Sequence, residues 1–123
     1  MPTESYILYI EDERPVFNLV REALKLSGHN VVGAISGREG LEIMRQNKPD
    51  LLLLDLMMPD MNGWDVYRQI KKDAELSDIP VIVVTAKVPQ NNRIIVEGLP
   101  PVDDYITKPF DVERLIRAVQ NLT

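Results

Sequence analysis

Polar side chains come directly after four apolar runs of this chain. They are the acidic pair Glu11 and Asp12, then Asp55, Thr85 and Lys108. Carboxylates that gather in one place repel one another unless a cation lies between them, and oxygen ligands without histidine or cysteine favour Mg²⁺ or Mn²⁺ over zinc. A lysine and a hydroxyl beside such an ion could hold the oxygens of a phosphoryl group. The set therefore predicts phosphoryl transfer to a carboxylate, and Asp55 is the expected acceptor.

The residues before Asp55 predict its place in the fold. Residues 51–54 are all leucine, and so apolar a run is typical of a strand buried on both faces, as in a parallel sheet. With this strand at residues 51–55, Asp55 is its last residue. Ligands bind at the carboxyl edge of open α/β sheets. We therefore expect Asp55 to be the working group of a site.

The remaining groups must be brought to the same edge by the other elements. Apolar runs predict five strands, at residues 6–10, 31–34, 51–55, 81–85 and 105–107. Helical periodicity and capping residues predict five helices, at residues 14–27, 36–47, 64–74, 90–97 and 112–119. This alternation predicts a doubly wound, flavodoxin-like parallel sheet with helices on both faces and strand order 2-1-3-4-5. In that order strands one and three are neighbours, so their acidic ends should meet.

Composition limits the remaining classes of function. A chain of 123 residues with 45% hydrophobic residues suits one domain, here residues 1–123. The net charge is −5, and without a basic stripe we expect no direct contact with nucleic acid. The absence of cysteine excludes disulfides and thiolate chemistry. With no signal-peptide pattern and no apolar run of membrane-spanning length, we expect a cytoplasmic protein without membrane contact.

In order and spacing, these residues resemble the receiver domain of two-component response regulators over essentially the whole chain. The matching segments are ILYIEDE at 7–13, LDLMMPDMNG at 54–63, VTA at 84–86 and DYITKPF at 104–110. The resemblance implies a signalling switch that takes a phosphoryl group from a sensor histidine kinase or a histidine phosphotransfer protein. It implies no separate turnover substrate, and it leaves the output partner open.

The resemblance also implies a ligand set for the metal ion. Asp55 is the phosphoacceptor and, with Asp12 and the backbone carbonyl of Met57, a ligand of Mg²⁺. Glu11 acts on the ion directly or through water. Glu11 stands where the family more often has aspartate, and its extra methylene moves the carboxylate outward.

The other implied roles concern switching. Thr85 and Lys108 contact the phosphoryl group, and Tyr105 changes rotamer as Thr85 moves. The Lys108–Pro109 peptide bond is expected to be cis. The added charge then biases the surface formed by the fourth helix, the fifth strand and the closing helix. Residues 97–102 depart from the family because they contain two prolines, which predicts a short or shifted fourth helix.

For two further sets of residues, outside the motifs, the sequence predicts only a location in the fold. His29 is the only histidine, and its place beside Gly28 predicts a surface loop residue. Trp64 and Tyr67 are at helical spacing and are expected in the core or at its rim.

Three other functions remain open on the sequence alone. A phosphatase of the haloacid dehalogenase type needs a second acid two residues after its aspartate, where this chain has Met57. A flavodoxin needs a glycine- and hydroxyl-rich loop after strand one, but residues 11–13 are acidic and would repel phosphate. A receiver-like module that is never phosphorylated is disfavoured, because Asp12, Asp55, Thr85 and Lys108 are all present.

Overall fold

The computed structural model describes residues 5–58, 60–85 and 102–123, without the side chains of Ser5 and Thr85. In this part of the chain five strands alternate with helices. The strands are β1 (Ser5–Ile10), β2 (His29–Ala34), β3 (Leu51–Leu54), β4 (Val81–Thr85) and β5 (Asp104–Thr107). The helices of the described residues are α1 (Arg14–Leu26), α2 (Gly37–Gln46), α3 (Gly63–Lys72) and α4 (Val112–Leu122). None of these helices is long and apolar enough to cross a membrane.

The strands form one parallel sheet in the order β2-β1-β3-β4-β5, which confirms the predicted topology. The register pairs Ile10, the last residue of β1, with Leu54, the last residue of β3. The residues that follow these two strands therefore begin side by side at the carboxyl edge of the sheet.

Alternate side chains of each strand pack on opposite faces of the sheet. One core lies under α2 and α3, where Leu8, Leu52 and Leu54 contact helix residues such as Tyr67 and Ile70. The other core lies under α1 and α4 and is built on the intervening strand residues. Because all four leucines of β3 are buried, the strand before Asp55 is fixed on both faces.

Polar side chains cap the starts of three helices. The side chains of Ser36, Asn62 and Asp111 each accept a backbone N–H from the first turn of α2, α3 and α4. Gly63 is required for close packing, because a Cβ there would lie 2.7 Å from the carbonyl oxygen of Asp55. This contact holds the start of α3 directly against the residues that follow β3.

Two outcomes differ from the sequence analysis or lie outside the structure. The prediction that His29 is a surface loop residue is wrong: it is the first residue of β2 and is only 8% exposed. The strand begins two residues earlier than predicted because it pairs with β1 from Ser5 onward. The predicted helix at residues 90–97 and the proline-containing segment 97–101 lie outside the described residues.

Candidate functional site

The acidic residues that follow β1 and β3 lie together at the carboxyl edge of the sheet. Glu11, Asp12 and Asp55 each offer a carboxylate oxygen, and these oxygens lie within 4.8 Å of one another. Hydrogen bonds to neighbouring strands fix both backbones: the N–H of Glu11 donates to Ala34, and that of Asp55 donates to Ile10. The proximity therefore follows from the sheet register and needs no special loop.

Lys108 follows β5 and places its ammonium group inside this acidic cluster. Its Nζ lies 2.6 Å from Oε1 of Glu11, 3.1 Å from Oδ2 of Asp55 and 3.8 Å from Oε1 of Glu13. Burial lowers the pKa of Lys108, but the hydrogen bonds and charges of Glu11 and Asp55 outweigh burial and leave it above its ordinary value. The lysine is therefore a fixed cation that offsets part of the acidic charge.

Asp55 is held on both of its carboxylate oxygens. Oδ1 accepts the backbone N–H of Met57 at 3.0 Å, and Oδ2 accepts Lys108 Nζ at 3.1 Å. The residue is 3% exposed, so its carboxylate is directed at the site and not into bulk solvent. Such a group is oriented before any substrate arrives, which is what a nucleophile in group transfer requires.

Glu11 is the most enclosed acid of the cluster, at 2% exposure. Its Oε1 accepts the hydroxyl of Tyr9 at 2.8 Å, and its Oε2 accepts the backbone N–H of Glu13 at 3.2 Å. Burial raises the pKa of Glu11, and the hydrogen bonds from Lys108 and Tyr9 oppose this effect. The carboxylate therefore carries a desolvation cost that its three donors offset only in part.

Tyr9 is the site residue that sequence reasoning missed. Its position in β1 predicts a core residue, and it is indeed fully buried, but its hydroxyl reaches the acidic cluster. The signal was present in the sequence, because residues two apart in a strand point to the same side. A tyrosine in a buried strand, two residues before an acid, has a polar group that needs a partner.

The structure describes some of the remaining predicted site residues more completely than others. The backbone of Thr85 ends β4 and pairs with Thr107 of β5, but its side chain lies outside the described residues. Tyr105 is in β5 and packs, partly buried, against the core under α2 and α3. The Lys108–Pro109 peptide bond is cis. The side chain of Met57 is 55% exposed.

The donor set fits a hard divalent cation. Each of the three clustered side chains, Glu11, Asp12 and Asp55, offers a carboxylate oxygen. Among the described residues the cluster contains no histidine or cysteine, and oxygen-only sets favour Mg²⁺ or Mn²⁺ over zinc. Asp12 is exposed whereas the other two acids are buried, so the cluster is open to solvent on one side.

Comparisons with known proteins agree with this geometry. The family model of the response regulator receiver domain matches residues 7–120. The chain is 38% identical to the protein PilH of Pseudomonas aeruginosa over 113 residues, which cover 92% of this chain and 93% of PilH. It is also 38% identical to the phosphate regulon transcriptional regulatory protein PhoB of the same organism, over 89% of this chain but only 48% of PhoB. The chain thus spans nearly all of one relative and about half of the other.

Solved structures show the same fold. A putative response regulator from Chloroflexus aurantiacus has a TM-score of 0.88 at 25% identity, with 98% of each chain covered. The receiver domain of a histidine kinase from Syntrophus aciditrophicus has a TM-score of 0.84 at 30% identity, over 96% of this chain and 89% of that one. With the family model matched along most of its length, this chain belongs to the receiver domains of two-component response regulators.

Proposed function

We propose that this protein is a phosphorylation-dependent switch whose phosphoacceptor is Asp55. The observation that supports this most strongly is the arrangement of that carboxylate, which is 3% exposed and lies 3.1 Å from Lys108 Nζ. Glu11 and Asp12 lie beside it with oxygens available to a cation. A nucleophile, a fixed positive charge and a cation-binding acid pair are the groups that phosphoryl transfer to a carboxylate needs.

The transfer itself is a displacement at phosphorus. A carboxylate oxygen of Asp55 forms a bond to phosphorus while the bond between phosphorus and an imidazole nitrogen of the donor's phosphohistidine breaks. The leaving imidazole keeps the electron pair of that bond and takes up a proton. Lys108 stays protonated throughout, because the acids beside it raise its pKa, and its ammonium group can hold one phosphoryl oxygen. The Thr85 hydroxyl is proposed to hold a second.

Glu11, Asp12, Asp55 and the backbone carbonyl of Met57 are the proposed ligands of Mg²⁺, for which Mn²⁺ could substitute. When bound, the ion neutralises charge on the acids and on the phosphoryl oxygens. The chain's own contribution is to hold the acids in place before the ion arrives. The N–H of Met57 does this for Asp55, and the N–H of Glu13 does it for Glu11.

The proposed donor is a sensor histidine kinase or a histidine phosphotransfer protein. Phosphorylation adds negative charge and strong acceptors at the sheet edge, and Thr85 and Lys108 are the groups expected to move toward them. Tyr105, the second residue of β5, is proposed to follow Thr85 and so carry the change to the surface around β5 and α4. The output partner of that surface is not identified by the chemistry of the site.

The proposal is tested by mixing the protein with Mg²⁺ and acetyl phosphate and measuring its intact mass. We expect one phosphoryl adduct that is absent without Mg²⁺ and absent in Asp55→Asn. A protein that forms no adduct would favour an interaction module that is never phosphorylated. Turnover of unrelated phosphate esters would instead favour a phosphatase.

A further inference from the structure

Tyr9 connects the core of the domain to the acidic cluster. Its ring is fully buried in the core under α1 and α4, while its hydroxyl donates to Oε1 of Glu11 at 2.8 Å. Burial, followed by the charge of Glu11, raises the pKa of the Tyr9 phenol well above its ordinary value. The phenol hydroxyl is the donor in this hydrogen bond, and the Glu11 carboxylate is the acceptor.

The ring of Tyr9 is held in a fixed place by its neighbours. The Phe17 ring of α1 packs on it with a centroid distance of 6.0 Å and a tilt of 38°. Phe17 in turn covers Gly33 of β2, where an added Cβ would lie 2.6 Å from the ring. Elements from β1, α1 and β2 thus fix the direction in which the hydroxyl points.

Glu11 needs such a support more than an aspartate would. Glutamate has one more rotatable bond, so an unsupported carboxylate would sample several positions and lose entropy on binding a cation. Three donors hold it in the structure, from Tyr9, Lys108 and the backbone of Glu13. If Lys108 turns to a phosphoryl oxygen, Tyr9 is the side-chain donor that remains on Oε1.

We propose that Tyr9 is a positioning residue that holds the Glu11 carboxylate where a divalent cation needs it. The inference rests on the proposed function, since the cation is the one that Asp55 phosphorylation requires. It also explains why glutamate works at this position: the tyrosine hydroxyl and the longer side chain are matched in reach. With the shorter aspartate, the carboxylate would be drawn back toward the backbone and away from the hydroxyl.

The test is a comparison of Mg²⁺ dissociation constants, measured by calorimetry at a temperature where every variant is folded by circular dichroism. The variants are Tyr9→Phe, Glu11→Asp, the double variant, and Tyr67→Phe as a control that removes a buried hydroxyl from the opposite core. We expect Tyr9→Phe to bind Mg²⁺ about threefold to tenfold more weakly, the size of one lost hydrogen bond. We expect Tyr67→Phe to match the wild type, and Tyr9→Phe to cause no further loss in the Glu11→Asp background.

Two results would overturn the inference while leaving the proposed function intact. One is an unchanged Mg²⁺ dissociation constant in Tyr9→Phe together with a lower melting temperature, which would show that the hydroxyl only stabilises the fold. The other is an equal loss of affinity in the wild-type and the Glu11→Asp backgrounds, which would show that Tyr9 does not act through Glu11. A wild type that binds no Mg²⁺ would overturn the proposed function and this inference together.

Discussion

Carboxylates lie at both edges of the sheet, but they have different partners. At the amino edge, Asp50 accepts the backbone N–H of Tyr6, and Asp103 accepts that of Val81, each at 2.8 Å. Both of these acids are exposed. At the carboxyl edge, Glu11 and Asp55 are almost fully buried and share the ammonium group of one lysine.

The difference is the one expected between acids that only satisfy the backbone and the acids that we propose take part in phosphoryl transfer. A carboxylate that accepts a free strand N–H in solvent satisfies the backbone, and water stabilises its charge. Buried carboxylates that face one another repel, and neutral hydrogen-bond donors offset this cost less completely than a cation does. The carboxyl edge thus contains buried negative charge that a bound cation would stabilise, and the proposed binding of Mg²⁺ and a phosphoryl group rests on this difference.

The largest contrast is expected in phosphorylation itself. Asp55→Asn should abolish the phosphoryl adduct formed with acetyl phosphate, because an amide is not a nucleophile for phosphorus. Asp50→Asn, the same change at the amino edge, should form the adduct at the wild-type rate. The measurement is the time course of intact mass, and slow labelling of Asp50→Asn would mean that the two edges are not independent.

Removing Lys108 should have the next largest effect. In Lys108→Met the buried acids lose their shared cation, and we expect the rate of phosphorylation at saturating Mg²⁺ to fall about 100-fold, as when one charge-stabilising donor is lost from a transition state. Stopped samples analysed by intact mass would give this rate. A loss of only about twofold would remove Lys108 from the reactive set and leave it a structural counter-ion.

Mg²⁺ should stabilise the folded protein through the carboxyl edge alone. At a Mg²⁺ concentration about tenfold above its dissociation constant, we expect the melting temperature to rise by about 3 to 8 °C. The rise should disappear in Asp12→Ala/Asp55→Ala and remain in Asp50→Ala. Scanning fluorimetry with a NaCl control of matched ionic strength separates binding from screening. A rise that persists in the double variant would place the cation elsewhere.

The smallest effect is expected at the amino edge. Asp50→Ala leaves the N–H of Tyr6 without its acceptor, but water can replace it because the bond is exposed. We therefore expect a loss of about 1 kcal/mol in the free energy of unfolding, measured in urea, with an unchanged Mg²⁺ affinity. A loss above about 3 kcal/mol would mean that Asp50 carries more than one backbone hydrogen bond.

The residues that lie at the carboxyl edge could be predicted from the sequence, because they follow from the strand topology. Alternating apolar strands and amphipathic helices give a parallel sheet, and a parallel sheet brings residues such as Asp55 and Lys108 to one edge. The hydrogen bonds inside the cluster could not be predicted, since they depend on side-chain reach. The contact of the Tyr9 hydroxyl with the cluster was not predicted, because an aromatic residue in a buried strand is expected to be a core residue.

The burial of His29 was missed for a related reason. The first two residues of β2, His29 and Asn30, are polar and not part of an apolar run, and the turn at Gly28 suggested a loop. Pairing between Ser5 and His29 nevertheless begins the strand at His29. The acceptor roles of Asp50 and Asp103 were likewise invisible, because an acid near a proline or in a loop is read as a turn residue. The burial of His29 and the acceptor roles of Asp50 and Asp103 all depend on the register between strands, which the local sequence does not show.

The most direct test of the account is to locate the phosphoryl group. The protein is treated with Mg²⁺ and acetyl phosphate, the acyl phosphate is reduced with borohydride to the corresponding alcohol, and the site is read by peptide mass spectrometry. The account predicts homoserine at position 55 and unchanged aspartate at positions 12, 50 and 103. Homoserine at any of those three positions with intact Asp55, or at none, would contradict the assignment of Asp55 as the phosphoacceptor.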